Sequence, residues 1–259
     1  MSAEYSAFDT DNKILTVSCA MDIDDGELEQ LKLLNIGQSC SDTTTKYADA
    51  VKRVLDNHQV KDVQVLVQLL TADEATVLTE AVDWKVTKNV IQDYIDAKPS
   101  TRDNTDFELA CWGDDKKTVL NYIKETVWDM GDMNLTLFDH TVFKKNADVQ
   151  YRFNPAEQLY EVVCVFTQNN ISAGNCILEC ENIKKSIIAE YGEPTEDKVY
   201  KLDSLANYAD ASTALQLGYS AYRTIWETDS TELHLIMSRG DSYKITTSLF
   251  YDSKTVSGE

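Results

Sequence analysis

The sequence predicts an α+β protein of two domains, over 1–98 and 107–255, each with helices packed on one face of a mainly antiparallel sheet. Three observations carry that expectation. Stretches alternating between apolar and polar residues recur along the chain, apolar residues at helical spacing separate them, and a polar segment without periodicity, 100–106, divides the halves. With 259 residues, 43% hydrophobic and 26% charged, the chain has the composition of a soluble globular protein and enough length for two cores.

In the first half, Leu15, Val17, Cys19, Met21 and Ile23 alternate with Thr16, Ser18 and Asp22, which marks a half-buried strand over 13–23. Asp25-Gly26 opens a helical stretch through Leu28, Leu31 and Leu34. Asp42 or Thr43 is placed to cap a second helix, in which Tyr47, Val51, Val54 and Leu55 recur at helical spacing. Strands over 63–70 and 75–82 follow, joined through Thr71-Ala72-Asp73-Glu74 as a hairpin. Val90, Ile91, Tyr94 and Ile95 make a short helix that stops before Lys98-Pro99, because the residue preceding a proline is pushed out of the α region. The polar residues of 100–106 read as a linker.

The second half opens with Cys111-Trp112-Gly113-Asp114 and a helix over 115–130, with Val119, Tyr122, Ile123, Thr126 and Val127 on its inner face and Gly131 as its stop. Strands are expected over 135–139, 147–153 and 158–167, the last two joined by the turn residues Asn154-Pro155-Ala156-Glu157. A second helix, 175–191, aligns Cys176, Cys180, Ile183 and Ile187 and ends at Gly192, with Pro194 beyond. Strands over 219–226, 232–238 and 243–251 complete an antiparallel sheet.

The residues Trp112-Gly113, Tyr151-Arg152-Phe153, Leu159-Tyr160, Ile183-Lys184-Lys185, Tyr191-Gly192-Glu193-Pro194-Thr195, Trp226 and the strand from Ile245 to Tyr251 carry a resemblance. This part of the chain, roughly 107–253, resembles a family of uncharacterised bacterial envelope proteins of lipoprotein type. It is similar, more loosely, to the modules of the β-lactamase inhibitory protein and outer-membrane assembly lipoprotein group. The motifs mark a helix start, a hairpin and a helix end, so the resemblance implies a fold and an envelope address and transfers no catalytic residue.

Charge narrows the partners. Lys and Arg number 24 against 44 Asp and Glu, a net −20, and residues 1–100 alone hold 9 basic against 18 acidic. An excess spread along the chain repels phosphate backbones and anionic lipid, so nucleic acid is not expected as a partner and cationic partners are favoured. No apolar run approaches the ~20 residues of a spanning helix, so no transmembrane segment is expected. Met1 to Tyr5 has neither a basic nor an apolar region, which leaves two addresses: the cytoplasm, or the envelope or extracellular space if an export leader was removed.

The constellations that carry chemistry are few. Asp22-Ile23-Asp24-Asp25-Gly26-Glu27 is rich in oxygen, yet an EF-hand register puts Gly26 and Leu33 where ligands belong; a strand end followed by a helix cap explains the same residues. His58, His140 and His234 are far apart, and Asp139-His140 as strand neighbours point to opposite faces. No Gly-x-Ser-x-Gly elbow, phosphate loop or dinucleotide fingerprint occurs, and no Cys-x-x-Cys, so no cofactor and no metal site is expected. Cys176 and Cys180, with Cys19 and Cys164, read as buried inert thiols. Arg239-Gly240-Asp241 reads as a hairpin turn rather than a recognition tripeptide. Tyr208 and Tyr222, in the weakly periodic stretch 205–226, are the candidate binding residues, because exposed aromatics dominate interfaces.

The function expected is a non-catalytic binding or interaction protein of the bacterial cell envelope, with a protein or a small ligand as partner. An acidic immunity or inhibitor-type protein that occupies a basic partner is one alternative. An enzyme whose acid/base carboxylates are scattered in sequence is another. An exposed aromatic-apolar site without convergent titratable groups marks the first, a broad face of Asp and Glu unrelieved by Lys the second. A closed pocket holding perturbed carboxylates or a perturbed histidine marks the third.

Overall fold

The computed structural model of the chain describes all residues except 1, 22, 24, 72–76, 84, 132, 169–171 and 241–242, and omits the side chains of 2–5, 25 and 26. The chain divides into two compact units, Met1–Pro99 with Leu120–Val127, and Ser100–Val119 with Trp128–Glu259. Both units join helices to a mainly antiparallel sheet, an α+β architecture.

The first unit holds a five-stranded sheet in sequence order: β1 Ser2–Asp9, β2 Ile14–Ala20, β3 Gln64–Leu70, β4 Val77–Val82 and β5 Lys85–Asn89. All neighbours are antiparallel except β2 and β3, which run parallel because two helices, α1 Asp25–Leu33 and α2 Gly37–Asn57, carry the chain back between them. Val65, Val67 and Leu69 alternate onto one face and are fully buried, and Ala48 and Cys40 of α2 join the core clusters they form. The second helix begins at Gly37, and its N-cap, six residues before the expected Asp42 cap, is Ile36, which offers no side-chain cap. α3, Val90–Ala97, starts where Asn89 accepts from Gln92 N and stops before Pro99. Strands β1 and β5 lack strong alternation and were not foreseen. The Asp22–Glu27 loop and the connection after Thr71 fall largely on residues outside the description.

The helix expected over 115–130 is a correction. Only Lys116–Tyr122 (α4) is helical. From there the carbonyls that would continue the helix are taken by side chains of the first unit. Asn35 Nδ2 donates to Ile123 O and Glu125 O, while Lys98 Nζ donates to Leu120 O at 2.8 Å and Ile123 O at 3.0 Å. Val127 N pairs with Leu34 O as a strand would. Asn35 itself sits at φ 57°, the left-handed position past the end of α1 that asparagine tolerates. A buried helix end needs partners for its carbonyls, and here they come from Asn35, 88 and 90 positions away in sequence, and Lys98, 22 and 25 positions away.

The second unit holds eight strands, all antiparallel, in the order β10-β11-β12-β13-β9-β8-β7-β6. They span β6 Trp128–Asp129, β7 Asn134–Val142, β8 Lys145–Phe153, β9 Leu159–Phe166, β10 Glu196–Lys201, β11 Ser220–Glu227, β12 Thr231–Arg239 and β13 Ile245–Ser253. Alternation is clear in the middle strands. Val149, Tyr151, Leu233, Leu235, Leu249 and Tyr251 are buried beneath α5, Ala173–Tyr191, while Gln150, Arg152, His234 and Asp252 face the other way. α5 buries Cys176, Cys180, Ile183 and Ile187 on one stripe, is capped by Ser172, and ends at Gly192 with φ 82°. Ahead of the strand expected over 219–226, the weakly periodic stretch holds a 3-10 turn, Ser204–Asn207, and a short helix, α6 Ala211–Gln216. The expected linker is tied down: Arg102 holds the Asp114 carboxylate with both terminal nitrogens, and Asp106 accepts from Trp112 N and Ser230 Oγ.

Candidate functional site

The β7–β8 hairpin closes through two residues, Phe143 and Lys144, both at positive φ, 49° and 63°. That is a type I′ turn without the Asn-Gly it prefers, and each side chain so placed costs about 1–2 kcal/mol. Strain retained in a turn is common beside binding sites. Here the turn forms one rim of a cleft of about 630 Å³, within the ~300–1,000 Å³ range of small-molecule sites. The last turns of α5 form the opposite rim with Ser186, Ala189, Glu190 and Tyr191, and Phe107 with Tyr251 lies on the floor.

The floor is aromatic and packed edge-on. Phe107 meets Tyr251 at 4.8 Å and Tyr151 at 5.8 Å between ring centroids, and Tyr191 meets Tyr251 at 6.5 Å. The hydroxyls form a chain in which Tyr251 donates to Tyr191 and Tyr191 to the Glu190 carboxylate. Burial, helped by the Glu190 charge, pushes the Tyr191 phenol up to about 12, and burial raises Tyr251 further, so both stay protonated donors at neutral pH. Cys164 lies below them, fully buried, its thiol driven far above the usual range by loss of water. At the other rim Glu108 is held by His140 Nε2 at 2.7 Å. A bulge between Leu137 and His140, with Asp139 at φ 55°, turns His140 toward that partner. Nothing in the sequence joins His140 to a residue 32 positions earlier, and the Phe-Lys turn has no glycine or asparagine to announce it.

On the opposite face of the same sheet the register lines up Glu227, Glu232, Asp252, Glu161 and Arg152 across five strands. Like charges set side by side repel. Burial first, then Glu161, raises the Asp252 carboxyl to about 6, and a hydrogen bond shares its proton with Glu161. His234 touches Glu232 at 2.8 Å and Arg223 at 2.9 Å; burial pulls it below its ordinary value although Glu232 opposes this. Arg152, Arg223 and Lys254 relieve the row, through Glu161, His234 and Glu227 respectively. Among the described residues no three His, Cys, Asp or Glu side chains converge to hold a metal.

The two tyrosines singled out in the sequence lie on separate elements. Tyr208 follows the 3-10 turn and is 89% exposed, while Tyr222 is a half-buried β11 residue opposite Val199, its phenol raised by burial. Neither lines the cleft. All six cysteines are free thiols; Cys176 and Cys180 are buried on α5, Cys180 pushed up to about 12 by burial. Arg239-Gly240 enters a hairpin turn, with Gly240 N bonded to Lys244 O and Arg239 over the Tyr243 ring at 4.2 Å; Asp241 lies outside the described residues. Among the described residues no helix is long and apolar enough to cross a membrane.

Fold and site together define an α+β chain of two mainly antiparallel sheets with an aromatic-floored cleft beside one of them. No family model and no curated protein matches the sequence. Among solved structures, a DUF4309 family protein, YjgB of Bacillus subtilis subsp. subtilis strain 168, is similar over 54% of this chain and 78% of its own, at 9% identity and a TM-score of 0.27. A likeness that low carries no argument about fold or function.

Proposed function

We propose that this chain is a non-catalytic binding protein whose guest enters the cleft between the Phe143-Lys144 turn and the end of α5. One observation carries the reading. Tyr251 and Asp252 are neighbours on β13, and strand alternation sends the cleft tyrosine to one face and the proton-sharing carboxylate to the other. Acid/base catalysis needs a closed site and a tuned proton donor in the same place. In this fold the sheet separates the cleft from the carboxyl raised to about 6, the phenols inside the cleft are pushed too high by burial to release a proton at neutral pH, and Asp252 and Glu232 stand on an open face at 41% and 37% side-chain exposure. The acidic-mimic alternative has less support, because Arg152, Arg223 and Lys254 interrupt the acidic row.

Aromatic faces beside Glu108 and Glu190, against a single Lys144, suit a guest with an apolar body and a cationic end. The test is a thermal-shift screen of small aromatic amines against matched carboxylates. Amines are expected to raise the melting temperature of the wild type and not that of Ser186→Trp, which fills the cleft. Equal response to amines and carboxylates removes the charge preference, and equal response of both proteins removes the cleft. An address at the bacterial cell envelope belongs to the same proposal. It is supported by the residue likeness over 107–253, and cell fractionation checks it.

A further inference from the structure

The geometry points to β10 as a pairing edge for a second copy of this chain, joining two eight-stranded sheets across a twofold axis at Val199. This interface is independent of the cleft. The eight-stranded sheet has two ends. One is β6, two residues long; the other is β10, six residues long and exposed from Asp197 to Lys201. An uncovered edge of that length presents a row of unpaired backbone groups.

Which groups point outward follows from the inner pairing. Lys201 stands opposite Ser220, so Leu202 stands opposite Tyr219, and Leu202 N donates to Tyr219 O at 2.7 Å, a hydrogen-bonded position. Alternation then turns Tyr200, Lys198 and Glu196 toward β11 and leaves the N–H and C=O groups of Asp197, Val199 and Lys201 facing out. Thr195 N bonded to Ile225 O, the residue opposite Glu196, agrees with this phase, as in a bulge.

Two antiparallel copies bond through outward-facing residues only, which restricts the register to steps of two. Centred on Val199, each Asp197 faces Lys201 of the second copy, each Lys198 faces Tyr200, and the valines meet on the axis. One step one way sets Lys198 against itself; one step the other way sets Asp197 against Asp203. An in-register parallel arrangement stacks every charge on its own kind. Only the Val199-centred register opposes unlike charges and avoids like ones, and opposite-charge cross-strand pairs stabilise while like pairs do the reverse. Lysines on an edge ordinarily discourage such pairing. Here both have partners in their own chain, Lys198 with Glu196 and Lys201 with Asn207, and exposed Val199 and Leu202 lie between and beside them.

Sedimentation equilibrium on the full chain tests the inference. At a net charge of −20 per copy, raising salt screens the overall repulsion, so the wild type is expected to form a dimer more readily at 0.5 M than at 0.05 M salt, on the order of a few-fold in Kd. Val199→Pro removes an outward N–H without touching the β11 ladder and is expected to weaken the dimer at least about tenfold. Lys201→Asp sets acid against acid and has the same effect, and adding Asp197→Lys to it restores association. A wild type that stays monomeric at millimolar concentration in high salt overturns the proposal. So does a dimer indifferent to Val199→Pro, or a charge swap that fails to rescue while circular dichroism shows a folded chain.

Discussion

The first unit buries an amine among neutral acceptors, whereas the second half-buries carboxylates among one another. Lys98 is 6% exposed, and its Nζ meets Asn35 Oδ1 at 2.6 Å and two main-chain carbonyls, with the Tyr94 ring 5.4 Å away. Loss of water alone pulls this ammonium down to about 8. Asp252 moves the other way, up to about 6, because burial and then the neighbouring Glu161 both oppose its ionisation. Burial disfavours whichever form is charged, so the same cause shifts a base down and an acid up. What differs is the role of the partners. The acceptors around Lys98 give it a structural task, holding 120–127 in place, while Glu161 and Glu232 beside Asp252 raise the cost of its charge and Arg152 offsets only part of it.

The largest expected effect breaks the first half of this contrast. Lys98→Met leaves Asn35 Oδ1 and the Leu120 carbonyl without their donor and is expected to lower stability at pH 7 by about 2 kcal/mol, read by urea denaturation. Amide exchange across 120–127 speeds up with it. The folded value lies below that of the unfolded chain, so the stability linked to Lys98 is fully present above about 10.5 and is lost as pH falls through about 8. The gap between wild type and Lys98→Met therefore widens from pH 8 to 10.5, by at most ~3 kcal/mol. A gap that stays flat means the amine keeps its water.

Asp252→Asn sharpens the second half. The folded Asp252 carboxyl lies above its unfolded value, so its contribution is full below about 3.8 and is lost as pH rises through about 6. The side chain is 41% exposed, so after screening the variant is expected to be more stable than wild type at pH 8 by no more than about 1 kcal/mol and equal to it near pH 3. The smallest effect is that of Glu161→Gln. It removes the like charge next to Asp252, and carboxyl-carbon NMR is expected to place the Asp252 midpoint below that of the wild type. An unchanged midpoint assigns the whole shift to burial.

Local signals determined much of the architecture. The β8, β12 and β13 strands announce themselves because alternate residues must meet core and water, and α5 because a 3.6-residue stripe and the Gly192 stop agree about one helix. The free, buried cysteines on α5 follow from the same stripe. Tertiary structure alone decided the rest. The periodicity of 115–130 is genuinely helical, but Asn35 and Lys98 compete for its carbonyls from far along the chain, and a packed side chain outweighs a few tenths of a kcal/mol of propensity per residue. The cleft needs Phe107, Phe143, Tyr191 and Tyr251 together, and the acidic row needs four strands in one register. Contacts between distant residues carry no period, so composition, charge and the faces of single elements were settled by the sequence, while convergence was settled by strand order and packing.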